Sequence, residues 1–67
     1  MNFDYELIRA AIIRRAVIDY KAALRYKDYA KIAKLEKFFL SGWGELLSYG
    51  HGEYIIEHTK EMVRNEK

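Results

Sequence analysis

The chain has 67 residues, 51% of them hydrophobic and 33% charged, with a net charge of +2 and neither cysteine nor proline. That length makes one domain, residues 1–67, and the lack of cysteine excludes disulfides and thiolate metal sites. The apolar content is too high for a disordered chain, and no apolar run approaches the ~20 residues of a membrane span.

A domain this small buries only about 60% of its unfolded surface. Without staples, its usual supports are self-association or a bound partner. The opening Met1-Asn2-Phe3-Asp4-Tyr5-Glu6 is acidic and lacks the pattern of a signal peptide, so the expected setting is cytoplasmic.

Glycine occurs only at 42, 44, 50 and 52. Its absence elsewhere, with abundant Ala, Leu, Lys, Arg and Glu, favours helices on both sides of that stretch. The expected fold is all-α, a compact bundle of about four helices, open to self-association.

The first helix is expected from about Asp4, a good N-cap, to about Tyr26. At about 100° per residue, one arc carries Tyr5, Ile12, Ile13, Ala16, Val17, Tyr20, Ala23 and Leu24. Arg9 falls inside this arc and must snorkel outward or find a carboxylate. On the opposite side Leu7, Ala11, Arg14, Ile18, Lys21 and Arg25 step by four and three residues. A helix apolar on two sides is usually covered on two sides, which makes Leu7, Ala11 and Ile18 a candidate self-association strip.

Asp28 is the expected N-cap of a second helix, Tyr29 to Leu40. Its apolar arc carries Tyr29, Ile32, Ala33, Leu35, Phe39 and Leu40, and its other face Lys31, Lys34 and Lys37. Phe38 falls on the basic side and needs a cover. Nothing between residues 25 and 29 strictly breaks a helix, so one continuous rod is the alternative. A break is preferred because a single rod cannot fold back on its own aromatics. Ser41 is the expected cap of a short third helix, Gly42 to about Ser48. A turn over Ser48-Tyr49-Gly50-His51-Gly52 then leads to a fourth helix, Glu53 to Arg64, with Arg64 and Lys67 closing it in the order a helix dipole favours. Ile55, Ile56, Thr59, Met62 and Val63 share one face of this helix. The expected core is Trp43, Phe39, Leu46, Leu47, Ile12, Ala16, Tyr20, Leu24, Ile32, Leu35, Ile55 and Val63, organised around the aromatic stretch from Phe38 to Leu47.

Charge is unevenly laid out. Residues 9–37 hold nine Lys or Arg against three Asp or Glu, whereas residues 38–67 hold three against five. Arg14, Lys21, Arg25, Tyr26, Lys27, Lys31 and Lys34 are the candidate contact residues for a partner protein or for nucleic acid. The plainer reading is that these bases are solvated helix faces, paired in part with the acidic fourth helix. Tyr26 and Tyr29 flank the basic turn and could stack on a base or on a partner.

Chemistry finds little footing. His51 and His58 match no zinc or di-iron spacing, so no metal site is expected. Gly42-Trp43-Gly44 and Gly50-His51-Gly52 follow no strand and lack the lysine of a nucleotide loop, so no cofactor is expected. Ser41 and Ser48 have no partnered base, and the glutamates of the fourth helix lie on an open face. The expectation is a protein without catalytic residues.

Two longer stretches carry a resemblance. Ala11-Ile12-Ile13-Arg14-Arg15-Ala16-Val17-Ile18-Asp19-Tyr20-Lys21-Ala22-Ala23-Leu24-Arg25 is one. Glu36-Lys37-Phe38-Phe39-Leu40-Ser41-Gly42-Trp43-Gly44-Glu45-Leu46-Leu47, followed by Gly52-Glu53-Tyr54-Ile55-Ile56, is the other. Together they resemble a group of small helical proteins from phages and prophages of Firmicutes. The shared residues are helical core and cap positions and specify a fold more than an activity. The chain departs from that pattern at His51, where an acidic cap is usual, and at Gly44, where a bulkier residue is usual; both suggest a looser third helix and turn.

The resemblance implies an accessory protein in an infected bacterial cell. By analogy of setting, small phage accessory proteins commonly bind a host protein or a defence complex and block it, CRISPR nucleases being one such target. The leading expectation is therefore a non-catalytic, protein-binding phage protein. A small DNA- or RNA-binding module and a structural homo-oligomer are the alternatives.

Overall fold

The computed structural model describes residues 4–66, which form four α-helices. These are α1 (Tyr5–Tyr26), α2 (Tyr29–Leu40), α3 (Gly42–Leu47) and α4 (Gly52–Arg64). The expected bounds hold to within a residue, and the all-α bundle stands. No helix among the described residues is long and apolar enough to cross a membrane. Lys67, expected to help close α4, lies outside the described residues.

α1 starts where the Leu7 N–H donates to the Asp4 carboxylate at 3.1 Å. It ends at Lys27, whose backbone is left-handed with φ 57° and ψ 40°. There the Lys27 N–H donates to the Leu24 carbonyl and the Asp28 N–H to the Ala23 carbonyl. That pair of bonds is the Schellman closure, which normally takes glycine at the left-handed position. The break between α1 and α2 is thus made by a lysine. α2 then opens with the Lys31 N–H donating to the Asp28 side chain at 3.3 Å.

Ser41 does not cap α3 with its side chain. Its hydroxyl donates instead to the Lys37 carbonyl at 2.8 Å and closes α2. α3 ends in a second Schellman closure with Tyr49 left-handed at φ 56°, the Tyr49 N–H reaching the Leu46 carbonyl and the Gly50 N–H the Glu45 carbonyl. Gly50 follows at φ 80°.

The core is centred on Tyr20 and Phe39, both fully buried, with ring centroids 5.8 Å apart edge to face. Ala16 and Ile56 join them, while Val17, Leu24, Ile32, Leu35, Phe38 and Ile55 pack around at partial burial. Phe38 has its cover: it meets the edge of Phe39 at 5.6 Å. Leu47 and Thr59 are buried and Val63 half-buried.

Three residues expected in the core are on the surface. Trp43 is 71% exposed, Leu46 58% and Ile12 42%. Tyr5, Tyr29, Ala33 and Leu40, placed on the apolar arcs of α1 and α2, are exposed as well. The physical reason for Trp43 is the glycine beside it. α3 packs on the C-terminal end of α2 through Gly44, where any Cβ would overlap the Phe38 carbonyl. Gly44 and Leu47 therefore face inward, and Trp43 and Leu46, three residues apart, face out together. Gly52 repeats the device for α4, pressed on the Phe39 carbonyl. Gly44 is thus a close-packing position, and α3 is held more tightly than its glycine content suggests.

Candidate functional site

The outer side of α3 is fixed from both ends. Arg9 on α1 donates from Nε to Glu6 at 2.9 Å and from Nη1 to the Leu47 carbonyl at 2.8 Å. Its guanidinium sits 4.4 Å over the Tyr49 ring, and the Tyr49 hydroxyl donates to Glu6. Arg9 therefore finds its carboxylate one turn away and also ties the end of α3 to α1. These bonds, from Tyr49 first and Arg9 second, hold the Glu6 carboxyl below its ordinary range. At the other end Gly44 rests on α2. Between these anchors Trp43 and Leu46 stand in solvent, with Leu40 at the end of α2 52% exposed.

The seven basic-face residues do not form one surface. Arg25 makes a two-pronged ion pair with Glu66, Nε to Oε1 at 2.7 Å and Nη2 to Oε2 at 2.6 Å. Together with Lys21 it holds the Glu66 carboxyl below its ordinary range. Arg25 thus ties the end of the described chain to α1. Arg14 is exposed on α1, about 18 Å along the helix from Tyr26 at 1.5 Å per residue. Tyr26, Lys27, Lys31 and Lys34 cluster at the α1–α2 elbow. Tyr26 and Lys31 line an open cleft with Asp19, Ala22, Ala23 and Asp28, and Lys31 and Lys34 line its neighbour with Asp28 and Ala30. Tyr26 is 83% exposed there.

The acidic helix α4 does not neutralise these lysines. Ion pairs between helices, among the described residues, are confined to Lys60 with Glu36 at 3.5 Å, and α4 also contributes the internal pair of Arg64 with Glu61. Glu36 in turn accepts from the buried Tyr20 hydroxyl at 2.6 Å. The self-association candidates are open: Leu7 is 68% and Ile18 48% exposed, and Ala11 lies on the same outer face.

His58 stacks on Tyr54, centroids 5.5 Å apart and 9° from parallel, and His51 makes no side-chain cap on α4. Among the described residues no three His, Cys, Asp or Glu side chains gather as a metal would require. The apolar α3 face was not singled out from the sequence. The signal for it is Gly44 itself, since the side of a short helix that carries glycine can approach a neighbour and the side that carries Trp43 then cannot.

Fold and surface define an all-α bundle with a rigidly seated, outward-facing aromatic on its shortest helix. No protein-family model, curated protein or solved structure matches the chain.

Proposed function

We propose that this chain is a non-catalytic protein that acts by binding another protein through the Trp43 face of α3. The observation that carries the reading is the exposure of Trp43 and Leu46, side by side, on a helix pinned against α2 by Gly44 and against α1 by Arg9. Tryptophan on a pre-organised surface is the typical anchor of a protein contact. An isolated exposed leucine means little, but Leu40, Trp43 and Leu46 expose large apolar side chains within one short stretch. The likeness of the two sequence stretches to phage and prophage proteins supports the setting: a bacterial host cell, with a host factor or defence complex as the protein bound and inhibited. In this reading no residue is catalytic and no cofactor is used.

Affinity capture from lysate of the bacterial host tests it, with the wild type, Trp43→Ala and Lys31→Glu/Lys34→Glu as baits. A partner held at high salt by the wild type and the lysine variant, and lost with Trp43→Ala, is the expected result. Equal recovery by Trp43→Ala sinks the reading.

A second reading has its own observation. Tyr26, Lys27, Lys31 and Lys34 are exposed around the elbow, and none of the three lysines is in an ion pair among the described residues. This favours a small nucleic-acid contact, with Tyr26 stacking on a base. Binding of DNA or RNA should then weaken with salt by a log–log slope of about −0.9 per phosphate neutralised on duplex DNA, and Lys31→Glu/Lys34→Glu should abolish it. Salt-independent or absent binding removes this alternative.

A further inference from the structure

We infer that two copies of this chain pair antiparallel along the outer side of α1, Leu7 of one copy packing on Ile18 of the other. The surface is separate from the Trp43 face and does not depend on it.

The outer strip reads Asp4, Leu7, Ala11, Arg14, Ile18, Lys21 and Arg25, alternating steps of three and four residues. A mean step of 3.5 is the period of a two-stranded coiled-coil seam. The strip lies away from the buried Ala16, Tyr20 and Ala23, and every member except the half-buried Lys21 is exposed. Arg25 at its far end is held by Glu66; from Asp4 to Ile18 the strip is a second, exposed seam that no other helix covers among the described residues.

The order of residues along the strip says what covers it. Set two strips antiparallel about a two-fold axis between Ile12 and Ile13. Asp4 then meets Lys21, Leu7 meets Ile18, and Ala11 meets Arg14, and the same three pairs recur on the other side of the axis. Acid faces base in the outer pair and apolar faces apolar in the next. The smallest side chain faces the longest in the inner pair, leaving room for the Arg14 stem to lie along the seam with its charge in water. Set parallel in register, the same strips would put Arg14 on Arg14, Lys21 on Lys21 and Asp4 on Asp4, and like charges in contact exclude that register. The strip is complementary to itself in one orientation, as a two-fold interface must be.

The paired run from Asp4 to Lys21 is about 27 Å long at 1.5 Å per residue. A contact of that length falls at the small end of specific interfaces, so the dimer is reversible and forms at high protein concentration.

The absence of cysteine gives a clean test. Leu7→Cys and Ile18→Cys are each made alone, mixed in equal amounts and oxidised mildly. In the inferred register the mixture cross-links. Neither variant alone does, because like positions lie about 16 Å apart along the seam, beyond the ~7 Å reach of a disulfide. Light scattering of the wild type should show the mass rising toward that of two chains with concentration. Ile18→Lys, its fold checked by circular dichroism, should raise the dissociation constant about a hundredfold, since an apolar contact is lost twice. A wild type that stays monomeric at millimolar concentration overturns the inference, as does cross-linking of Leu7→Cys alone as readily as the mixture. Either result leaves capture of a partner through Trp43 unaffected.

Discussion

Gly44 lies against the main-chain carbonyl of Phe38 more closely than any β-carbon allows. The neighbour is backbone in a helix, so it cannot swing aside as a side chain would. Gly44→Ala is therefore expected to destabilise the fold by about 1–3 kcal/mol, the range for forcing an extra methyl into a packed site. Gly52→Ala, which meets the Phe39 carbonyl, should behave alike. Gly42 is the contrast: a Cβ there has open space, and only its φ of +57° resists substitution. Urea unfolding of the three variants checks this, and a Gly44→Ala protein as stable as the wild type would refute the α2–α3 packing.

The exposed indole makes a second expectation. Trp43→Ala should leave the thermal midpoint almost where it was, within the roughly ±0.5 kcal/mol usual for surface changes. Phe39→Ala, which empties the fully buried ring site beside Tyr20, should cost about 3–5 kcal/mol. Circular dichroism melts of both variants decide it; a large loss in Trp43→Ala would mean that α3 turns its other face to α2.

Lys27 closes α1 in a conformation that costs a side-chain-bearing residue about 1–2 kcal/mol. Glycine occupies it without steric cost. Lys27→Gly is expected to raise stability by about 1 kcal/mol, and thus the midpoint by about 4–8 °C for a domain of this size. An unchanged or lower midpoint would argue that α1 and α2 do not part in this way.

Burial, and then the bond to Glu36, push the Tyr20 phenol well above its ordinary value. In the unfolded chain it titrates near ~10. Between those values the unfolded state has lost a proton that the folded state keeps, so stability falls as pH rises. The contribution of Tyr20 is whole below about pH 10 and drains away above it, as pH rises toward the folded value. Tyr20→Phe should cost about 0.5–1.5 kcal/mol at neutral pH through the lost hydrogen bond. Its deficit should shrink in alkali, because phenylalanine does not titrate. Urea midpoints of both proteins from pH 7 to 11 measure the convergence; parallel curves would place the hydroxyl in water.

On the acid side the signs reverse. The Tyr49 and Arg9 bonds depress the Glu6 carboxyl, and the Arg25 bond depresses that of Glu66. Their contribution is present above the ordinary carboxylate range and is lost as pH falls through the lowered folded values. Glu66→Gln should flatten part of the acid limb of the stability curve, and a limb of unchanged slope would show that the Arg25 tether adds nothing in solution.

Helix placement was legible because it rests on local signals. Asp4 and Asp28 cap, glycine clusters between positions 42 and 52, and the apolar arc of α1 contains the buried Ala16, Tyr20 and Ala23. The orientation of α3 was not legible. Six residues span less than two turns, too few for a periodicity to choose a face, and side-chain size then favoured burying Trp43. What decides the matter is a main-chain approach at Gly44, visible only once α2 and α3 are both in place. The contact residues divide in the same way. Exposure of Tyr26, Lys31 and Lys34 follows from their positions on the helices. The use of Arg25 to hold Glu66 and of Arg9 to hold Leu47 joins residues 41 and 38 positions apart in the chain, which no local pattern encodes.

The solitary tryptophan also has a spectroscopic consequence. Its indole is already hydrated in the native state, so its emission should change little when the protein denatures. Contact with an apolar surface would strip that water and shift the emission to the blue. The molecule thus carries a built-in optical reporter that is nearly blind to its own unfolding and would respond to any apolar surface brought against Trp43.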